Sequence, residues 1–422
     1  MSLISSSPSD HLQTAPALRK TRVCGVVCPV LLVLLGAAVF IHLRLLTRLD
    51  GDTFGVFLGA VALSTLLSLV PISILWFLDR RERENPWMLV AAFLWGALIA
   101  TALSLPLNSA VFRAVSRWIA LNPVISDVLG PDATLLIAAP LSAPVVEEVI
   151  KAAGVAVIMW MLRDEFDGMR DGFVYGALVG VGFNWFEAPL YVMQGYAQHG
   201  VAPYSLQLGV RYGLFGLGGH ALFTGLFGLF LGLAAQTSRI WLRVLAPVVG
   251  LALAVTAHLI NNALPLLAAL GAAAEGQPLG REPEREMLGQ IGFFEAFVSG
   301  SLMQLVTFLP FLLVVVVALW RSGTWERRVI REELASEVGR AVSPREYQAI
   351  LSDGMLRTRR IDELDPVDSA ALVDAQHELA FRKRRVREQG SDPEQDSLVA
   401  AWRRDIERLR ASLRQSQRPV QA

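Results

Sequence analysis

The sequence is poor in cysteine and in charged residues. Only two cysteines, Cys24 and Cys28, occur among 422 residues, and both lie in the first apolar run, four residues apart. A disulfide framework needs more cysteines in an exposed setting, so we expect both to be small buried apolar residues. Charged residues make up 18% of the chain and hydrophobic residues 53%. This balance excludes an ordinary soluble domain and indicates a polytopic membrane protein.

The sequence also lacks an excess of either charge and the common ligand-binding motifs. Its 38 basic and 38 acidic residues leave a net charge of zero, which by itself neither favours nor excludes nucleic acid. We find no nucleotide-binding loop, zinc-finger spacing or internal repeat, so we expect no nucleic-acid partner. The H-E-x-x-H motif of many zinc peptidases is missing as well.

Long apolar runs predict a bundle of membrane-spanning helices. A helix needs about 20 apolar residues to cross a bilayer. The runs lack the strict alternation of barrel strands, and open sheets do not exist in lipid. The predicted fold is therefore an all-α polytopic bundle of about eight transmembrane helices, with both termini on one side. The predicted spans are 23–42, 54–78, 88–107, 135–162, 172–195, 212–236, 241–268 and 293–321.

Basic residues predict the orientation of this bundle. A basic cluster precedes the first span, and further arginines follow spans two, four, six and eight. The positive-inside rule then places both termini in the cytoplasm, and we expect a multi-pass protein of a bacterial plasma membrane. The first run is longer than the core of a signal peptide and predicts an uncleaved span. The predicted domains are a cytoplasmic segment 1–22, a transmembrane domain 23–321 and a cytoplasmic helical tail 322–422.

Two segments outside the spans carry their own patterns. Residues 108–134 are too polar to span and predict a short amphipathic segment on the outer face. From about residue 322 the chain is strongly charged and predicts a small helical tail. This tail binds a cytoplasmic partner or regulates the protein, or else it is a solvated appendage that aids folding. Its helix-start patterns are the capping box Ser343-Pro344-Arg345-Glu346, Asp365-Pro366 and Asp392-Pro393.

Polar residues with the chemistry of a reaction site lie inside four of the predicted spans. Glu147 and Glu148 lie in the fourth span, with Lys151 one helical turn later. An ionised carboxylate in the bilayer core costs about 2.5–3.5 kcal/mol, so its presence calls for a reason. At 1.5 Å per residue, the polar positions of the four spans lie roughly 12–18 Å below the outer ends. Those in the later spans are Glu187, His220 and His258.

This mixture of residues suits peptide hydrolysis. A carboxylate such as Glu147 can activate water, and Lys151 faces both glutamates at i+3 and i+4. His258 and Asn262 lie one turn apart and would present two groups to an oxyanion on one helical face. A structural alternative stays open for each part. The glutamates and Lys151 could form a self-neutralising ion pair, and a lone histidine often bonds a neighbouring membrane helix.

Four stretches of these spans resemble motifs of a known family. EEVIKAAG, DGFVYGALVGVGFNWFEAPLY, GGHALFTGLFG and HLINN are similar to the motifs of the PrsW family of intramembrane proteases. That family is related to the CAAX-protease and bacteriocin-processing group. The resemblance runs from about residue 75 to 320 and does not cover the tail. It implies a peptidase domain and a membrane-anchored protein substrate, and PrsW relatives cut an anti-sigma factor.

The resemblance also implies a role for each site residue. It implies a glutamate-type peptidase without a metal or other cofactor, in which Glu147 activates water with support from Glu148 and Lys151. His258 and Asn262 match the H-x-x-x-N motif and would stabilise the oxyanion. The chain departs from the broader group because Phe183 is followed at the fourth place by Glu187 rather than histidine, and because Ala152 replaces an arginine. The partner of the base is therefore open, with His220 as the candidate.

Three alternative functions remain open at this stage. A zinc peptidase is one, because histidine and glutamate are both proper zinc ligands. A proton-coupled transporter is another, because intramembrane carboxylates also mark ion paths. Against it, the chain shows no pair of matching halves and only one polar layer. The last is a non-catalytic scaffold on the same fold, since a fold never guarantees an activity.

Overall fold

The computed structural model describes most of the chain. It covers residues 17–79, 84, 86–161, 168–237, 239–276, 290–352, 361, 364–388 and 390–416. Most of the predicted N-terminal segment, and the side chains of Cys24 and Cys28, lie outside the described part.

The fold is an all-α polytopic membrane bundle, as predicted, and the described residues contain no β-strand. Seven helical stretches are long and apolar enough to cross a membrane. They are built from α1 (Ala17–Leu46), α2 (Gly51–Leu78), α3 (Pro86–Leu94) with α4 (Thr101–Ala120), α5 (Pro123–Leu129) with α6 (Ala133–Met161), α9 (His220–Gln236), α10 (Ile240–Ala274) and α11 (Phe293–Ala335).

Helix α7 (Met169–His199) is the predicted fifth span and does not belong to that apolar set. Every residue from Asp171 to Asn184 is buried, so protein rather than lipid surrounds this half of the helix. It runs antiparallel to α9 at very short distance. A Cβ on Gly172, Gly176 or Gly180 would lie 2.0–2.4 Å from a carbonyl oxygen of α9. Glycines spaced by four residues let the two backbones touch, as small residues do in membrane helix pairs.

The sixth predicted span begins later than expected. The prediction of one helix over 212–236, with His220 well inside it, was wrong. The chain instead forms α8 (Tyr204–Arg211), a short 3₁₀ turn at Leu214–Gly216, and then α9, whose first residue is His220. Leu214 and Phe215 have positive φ angles of 49° and 58°. The four glycines between 213 and 219 explain the break, because each costs about 1 kcal/mol in a helix interior.

The helix of the predicted third span, 88–107, continues past residue 107. A π-helical segment, Trp95–Ala100, joins α3 to α4, and α4 continues to Ala120. The polar residue Asn108 does not end this helix because α6 satisfies it. Its Oδ1 accepts a hydrogen bond from Ser142 Oγ at 2.6 Å, and its Nδ2 donates to Glu147 Oε1 at 3.1 Å.

The chain divides into two compact units, and the boundary falls within α11. The smaller unit consists mainly of residues from 319 onward and contains α12 (Pro344–Leu351), α13 (Pro366–Glu388) and α14 (Ser397–Ser416) around its own apolar core. The predicted capping box is present, since Ser343 and Glu346 each bond the other's backbone N–H. The predicted domain limits and the cytoplasmic position of the tail stay predictions.

A buried ion network holds the smaller unit together. Glu337 accepts hydrogen bonds from Lys383 Nζ at 2.5 Å and from Arg403 at 2.7 and 3.1 Å. The side chains of Lys383 and Arg403 are only 2% and 8% exposed. Burial acts to raise the pKa of Glu337, but hydrogen bonds from Arg403 and Lys383 outweigh it and hold this pKa below its usual value. The ionised form of Glu337 therefore stabilises the folded unit.

We expect the smaller unit to lose stability in acid. Because the folded-state pKa of Glu337 is lowered, its contribution is complete above the unfolded-state pKa and is lost as pH falls through the folded-state value. Glu337→Gln should remove this acid dependence. It should also destabilise the unit at neutral pH by about 1–3 kcal/mol, because Lys383 and Arg403 lose a shared carboxylate. The loss is not larger because Lys383 keeps its bonds to Ser336 and the Glu333 carbonyl, and Arg403 keeps Glu394. Hydrogen exchange of α13 amides in the full-length protein, corrected for intrinsic rates, measures both effects.

The matched control is Glu388→Gln. Glu388 pairs with Arg384 on the surface, where the two side chains are 51% and 37% exposed, so its removal should leave α13 protection nearly unchanged. An acid profile that is the same in wild type and Glu337→Gln would contradict the stabilising role of Glu337.

Candidate active site

Side chains from four helices meet in one buried cluster, as the shared depth in the sequence predicts. All are buried except Glu187, whose side chain is 13% exposed. The members are Glu147, Glu148 and Lys151 of α6, Glu187 of α7, His220 of α9 and His258 of α10.

The ammonium of Lys151 lies at the centre of this cluster. Its Nζ is 3.2 Å from Glu147 Oε2, 2.9 Å from Glu148 Oε1 and 2.9 Å from His220 Nδ1. Phe183 closes one side, with its ring centroid 3.6 Å from Nζ. The lysine side chain is 0% exposed, so three polar partners replace the water that the ammonium loses.

Glu148 is the most fully bonded carboxylate of the cluster. It accepts from Lys151, from His258 Nδ1 at 2.9 Å and from Thr224 Oγ1 at 2.9 Å. Because a carboxylate only accepts, His258 carries a proton on Nδ1 and turns Nε2 toward Glu147. Glu148 therefore sets the tautomer of His258.

Glu187 holds the second histidine in the same way. His220 Nε2 donates to Glu187 Oε2 at 2.8 Å, and His220 Nδ1 accepts from the Lys151 ammonium. The imidazole is thus a neutral bridge between the lysine and this carboxylate. Arg211 Nη1 also donates to Glu187 Oε2, at 2.6 Å, while its guanidinium lies 4.1 Å from the Tyr191 ring centroid.

Glu147 is held more loosely than Glu148. Its Oε1 accepts from the neutral amide of Asn108 at 3.1 Å, and its Oε2 accepts the longest of the lysine contacts, at 3.2 Å. His258 Nε2 lies 3.9 Å from Glu147 Oε2. That separation is too long for a direct hydrogen bond and short enough for one water to contact both atoms.

Asn262 is the one predicted site residue whose hydrogen bonds lead away from the cluster. Its Nδ2 donates to the Ala139 carbonyl at 3.4 Å, and its Oδ1 accepts from Asn261 at 3.1 Å. Within the described part of the chain, no hydrogen bond joins it to the other predicted site residues. It lies one helical turn from His258 on α10, as predicted.

Three residues of the cluster's surroundings were missed in the sequence. Arg211 lies just before the predicted sixth span, 212–236, and the structure places it on α8, where it donates to Glu187. Asn108 was placed beyond the end of a span. Thr224 is 0% exposed in the structure. Its position one helical turn after His220 is the sequence signal that could have found it.

A comparison with known families covers the whole cluster. Residues 84–298, just over half of the chain, match the family described as PrsW family intramembrane metalloprotease. The chain belongs to the PrsW family. It is accordingly a multi-pass intramembrane peptidase, a hydrolase whose substrate is a protein in the bilayer. No curated protein and no solved structure matches the chain at a significant level.

The description of the PrsW family includes a metal, and the cluster offers ligands for one. Glu147, His220 and His258 each provide one ligand atom, and these atoms lie within 4.8 Å of one another. Two histidines and one glutamate form a known set for catalytic zinc. A carboxylate also bonds the far nitrogen of each imidazole, which is the usual support for metal-bound histidine. The donor set therefore fits a metal. Lys151 would compete with that metal, because its ammonium already bonds Glu147 and His220.

We expect Lys151→Met to destabilise this PrsW-family protein strongly. The substitution removes the ammonium from between Glu147 and Glu148 and leaves two buried carboxylates short of a partner. Loss of one member of a buried ion pair costs about 3–5 kcal/mol. The free energy of unfolding in mixed micelles measures this loss. Arg113→Met is the control, because Arg113 is exposed and its removal should change stability by less than about 0.5 kcal/mol. Equal stability of the two variants would rule out the central role of the lysine.

Proposed function

We propose that the protein hydrolyses a peptide bond of a membrane-anchored protein with water activated by Glu147. The 3.9 Å gap between Glu147 Oε2 and His258 Nε2 carries this proposal, because one water can lie between the two atoms. Glu148 and Lys151 support the base by fixing His258 and by balancing charge. His220 and Glu187 hold Lys151 from the other side.

The proposed reaction needs only proton transfers among these groups. Glu147 takes a proton from the water as its oxygen bonds to the substrate carbonyl carbon. The carbonyl oxygen becomes an oxyanion next to His258 Nε2, which donates to it when protonated. The carbon–nitrogen bond then breaks, and the proton on Glu147 passes to the leaving amine. Asn262 is the proposed second donor, since its 3.4 Å bond to Ala139 is long and easily exchanged.

A metal-dependent reaction at the same residues is the second candidate. The carboxylates behind both imidazoles favour it. Glu147, His220 and His258 would hold the metal, which when bound lowers the pKa of a coordinated water and polarises the carbonyl. Lys151 would then turn from His220 toward Glu148 alone. The two candidates share their residues and differ in one measurable property, the metal content of the purified protein.

We expect Glu147→Gln to lower kcat by about 10²–10⁴-fold, because it removes the base and keeps the shape of the side chain. The measurement is cleavage of a single-span reporter by the full-length protein in proteoliposomes. Glu295→Gln is the control, because Glu295 is exposed on α11. This variant should cleave the reporter at the wild-type rate. Cleavage by Glu147→Gln at the wild-type rate would refute the proposed role of Glu147.

Elemental analysis of the same preparations separates the two candidates. One metal ion per chain, lost in His220→Ala and His258→Ala and removed together with activity by a chelator, would establish the metal-dependent reaction. Wild-type activity that persists after complete metal removal would establish the glutamate base acting alone.

We also propose which protein is cleaved and in which membrane the enzyme lies. An anti-sigma factor is the proposed substrate, carried over from the PrsW relatives, and the proposed location is a bacterial plasma membrane with both termini in the cytoplasm. Proteomics of membrane fractions tests the substrate. A deletion strain complemented with wild type or with Glu147→Gln should differ in one membrane-anchored protein, which stays full-length only without active enzyme. If the protein that stays full-length is an anti-sigma factor, the proposed substrate is supported. If it is another membrane-anchored protein, that protein is the substrate and the proposal of an anti-sigma factor is wrong.

A further inference from the structure

Asn108 of α4 reaches the buried cluster from outside the four helices that build it. Its Nδ2 lies 3.1 Å from Glu147 Oε1, and its Oδ1 lies 2.6 Å from Ser142 Oγ. An ionised carboxylate only accepts hydrogen bonds, so the NH₂ group of Asn108 faces Glu147. The amide oxygen then faces Ser142, whose hydroxyl donates to it. A chain of donors therefore runs from Ser142 through Asn108 to one oxygen of Glu147.

The hydroxyl of Ser142 is used differently from those of Ser104 and Ser109 on α4. These two serines donate to the carbonyl four residues earlier in their own helix, at 2.7 Å, which is a common local bond of helical serine. Ser142 is 2% exposed and donates across to the neighbouring helix instead. The local bond is replaced by one that fixes the orientation of the Asn108 amide.

Two contacts, one on each oxygen, hold the carboxylate plane of Glu147. The last torsion of a glutamate side chain is soft and roughly twofold, so an unsupported carboxylate turns easily. Here Asn108 bonds Oε1 at 3.1 Å and Lys151 bonds Oε2 at 3.2 Å. Oε2 is also the oxygen that lies 3.9 Å from His258 Nε2. The amide of Asn108 therefore leaves Oε2 to face the histidine, where the reaction is proposed.

A π-helical segment sets the register that brings Asn108 to this carboxylate. The segment Trp95–Ala100 holds one residue more than the same path in an α-helix, and one residue turns an α-helix by about 100°. With the preceding helix held in place, an uninterrupted α-helix would put Leu107 at the position of Asn108. Leu107 is apolar and 51% exposed, and its side chain offers no donor.

Contacts on two neighbouring helices hold the π-helical segment in place. A Cβ on Gly96 would lie 1.9 Å from the Val179 carbonyl oxygen, so the segment touches the backbone of α7. On the other side, Trp95 Nε1 donates to the Ile150 carbonyl of α6 at 3.0 Å. The helix is thus tied to α7 and to α6 before it reaches Asn108.

We propose that Asn108 is a positioning residue of the peptidase, which together with Ser142 fixes the carboxylate of Glu147 so that Oε2 is the oxygen used in the reaction. The proposal rests on the proposed role of Glu147 and applies whether this glutamate acts as the base or as a metal ligand. In both cases the acting oxygen has to be held in place, because a misplacement of about 1 Å can cost roughly 100-fold in rate. Asn108 acts through Glu147 alone.

Asn108→Leu and Ser142→Ala test this role in the full-length protein in proteoliposomes. Asn108→Leu removes the donor and keeps the branching of the side chain. We expect kcat for the single-span reporter to fall about 10–100-fold, with KM within about twofold of wild type. Ser142→Ala lets the amide turn, and we expect a smaller fall in kcat, about two- to tenfold. The double variant should be no slower than Asn108→Leu, because both changes act on one carboxylate.

The matched controls are Asn122→Leu and Ser109→Ala. Both side chains are exposed, and each donates to a carbonyl of α4, so both variants should keep the wild-type kcat. Melting temperatures show whether each variant is folded. Should Asn108→Leu fail to fold, Ser142→Ala carries the test.

Infrared spectroscopy reports on the Glu147 carboxylate without any substrate. Its bands are obtained as the difference between each protein and the same protein with Glu147→Gln. The stretching frequencies of a carboxylate depend on the hydrogen bonds that it accepts. We therefore expect these bands to shift in Asn108→Leu and in Ser142→Ala, and to stay in place in the two controls.

The outcomes separate this positioning from the peptidase function. A wild-type kcat in Asn108→Leu, or a loss of kcat without a shift of the Glu147 bands, would overturn the proposal. A raised KM with unchanged kcat would also overturn it, in favour of a contact between Asn108 and the substrate. If wild type cleaves no reporter, or if Glu147→Gln cleaves like wild type, the proposed function fails. Shifted bands would then still support the positioning of Glu147 by Asn108, and unchanged bands would overturn it.

Discussion

The buried ammonium of Lys151 is the contact on which the rest of the site depends. An unpaired charge inside a protein in lipid is expensive, and so is each of the glutamates around it. The lysine bonds Glu147, Glu148 and His220 at 2.9–3.2 Å, so its charge offsets both adjacent carboxylates and orients one imidazole. Without it, the carboxylates of Glu147 and Glu148 would repel each other with no positive charge between them. One residue thereby allows acids from one helix to remain buried beside a histidine from another.

Close helix packing brings the partners of this lysine together. The glycines of α7 allow its backbone to touch α9, and the contact at Gly180 lies at the carbonyl of His220 itself. The same helix carries Glu187 two turns later, so the packing that places α9 also places the carboxylate that bonds His220. A larger residue at Gly180 would separate the helices and pull the two ends of this hydrogen bond apart. The close packing of α7 against α9 therefore also fixes the distance between His220 and Glu187.

The sequence predicted much of this site because polarity is conspicuous in an apolar run. Glu147, His220 and His258 were found from their cost in lipid and from their common depth. Arg211 and Asn108 were missed because they lie near the ends of apolar runs, where polar residues usually face headgroups or water. Only tertiary contacts show that Asn108 is bonded by Ser142 and Glu147. The late start of α9 was missed for another reason, since hydropathy does not register the positive φ angles before His220.

The charge of the cluster explains why two mechanisms fit the same residues. Glu147, Glu148 and Glu187 carry three formal negative charges when ionised, and Lys151 and Arg211 supply two positive ones. With both imidazoles neutral, one negative charge remains in a region where an uncompensated charge is costly. Either a proton shared between Glu147 and His258 or a bound cation at the same atoms removes it. The first makes Glu147 and His258 a base and an oxyanion donor, and the second makes them ligands. The unbalanced charge lies where Glu147 and His258 face each other, and this is where a water and a peptide carbonyl would have to enter.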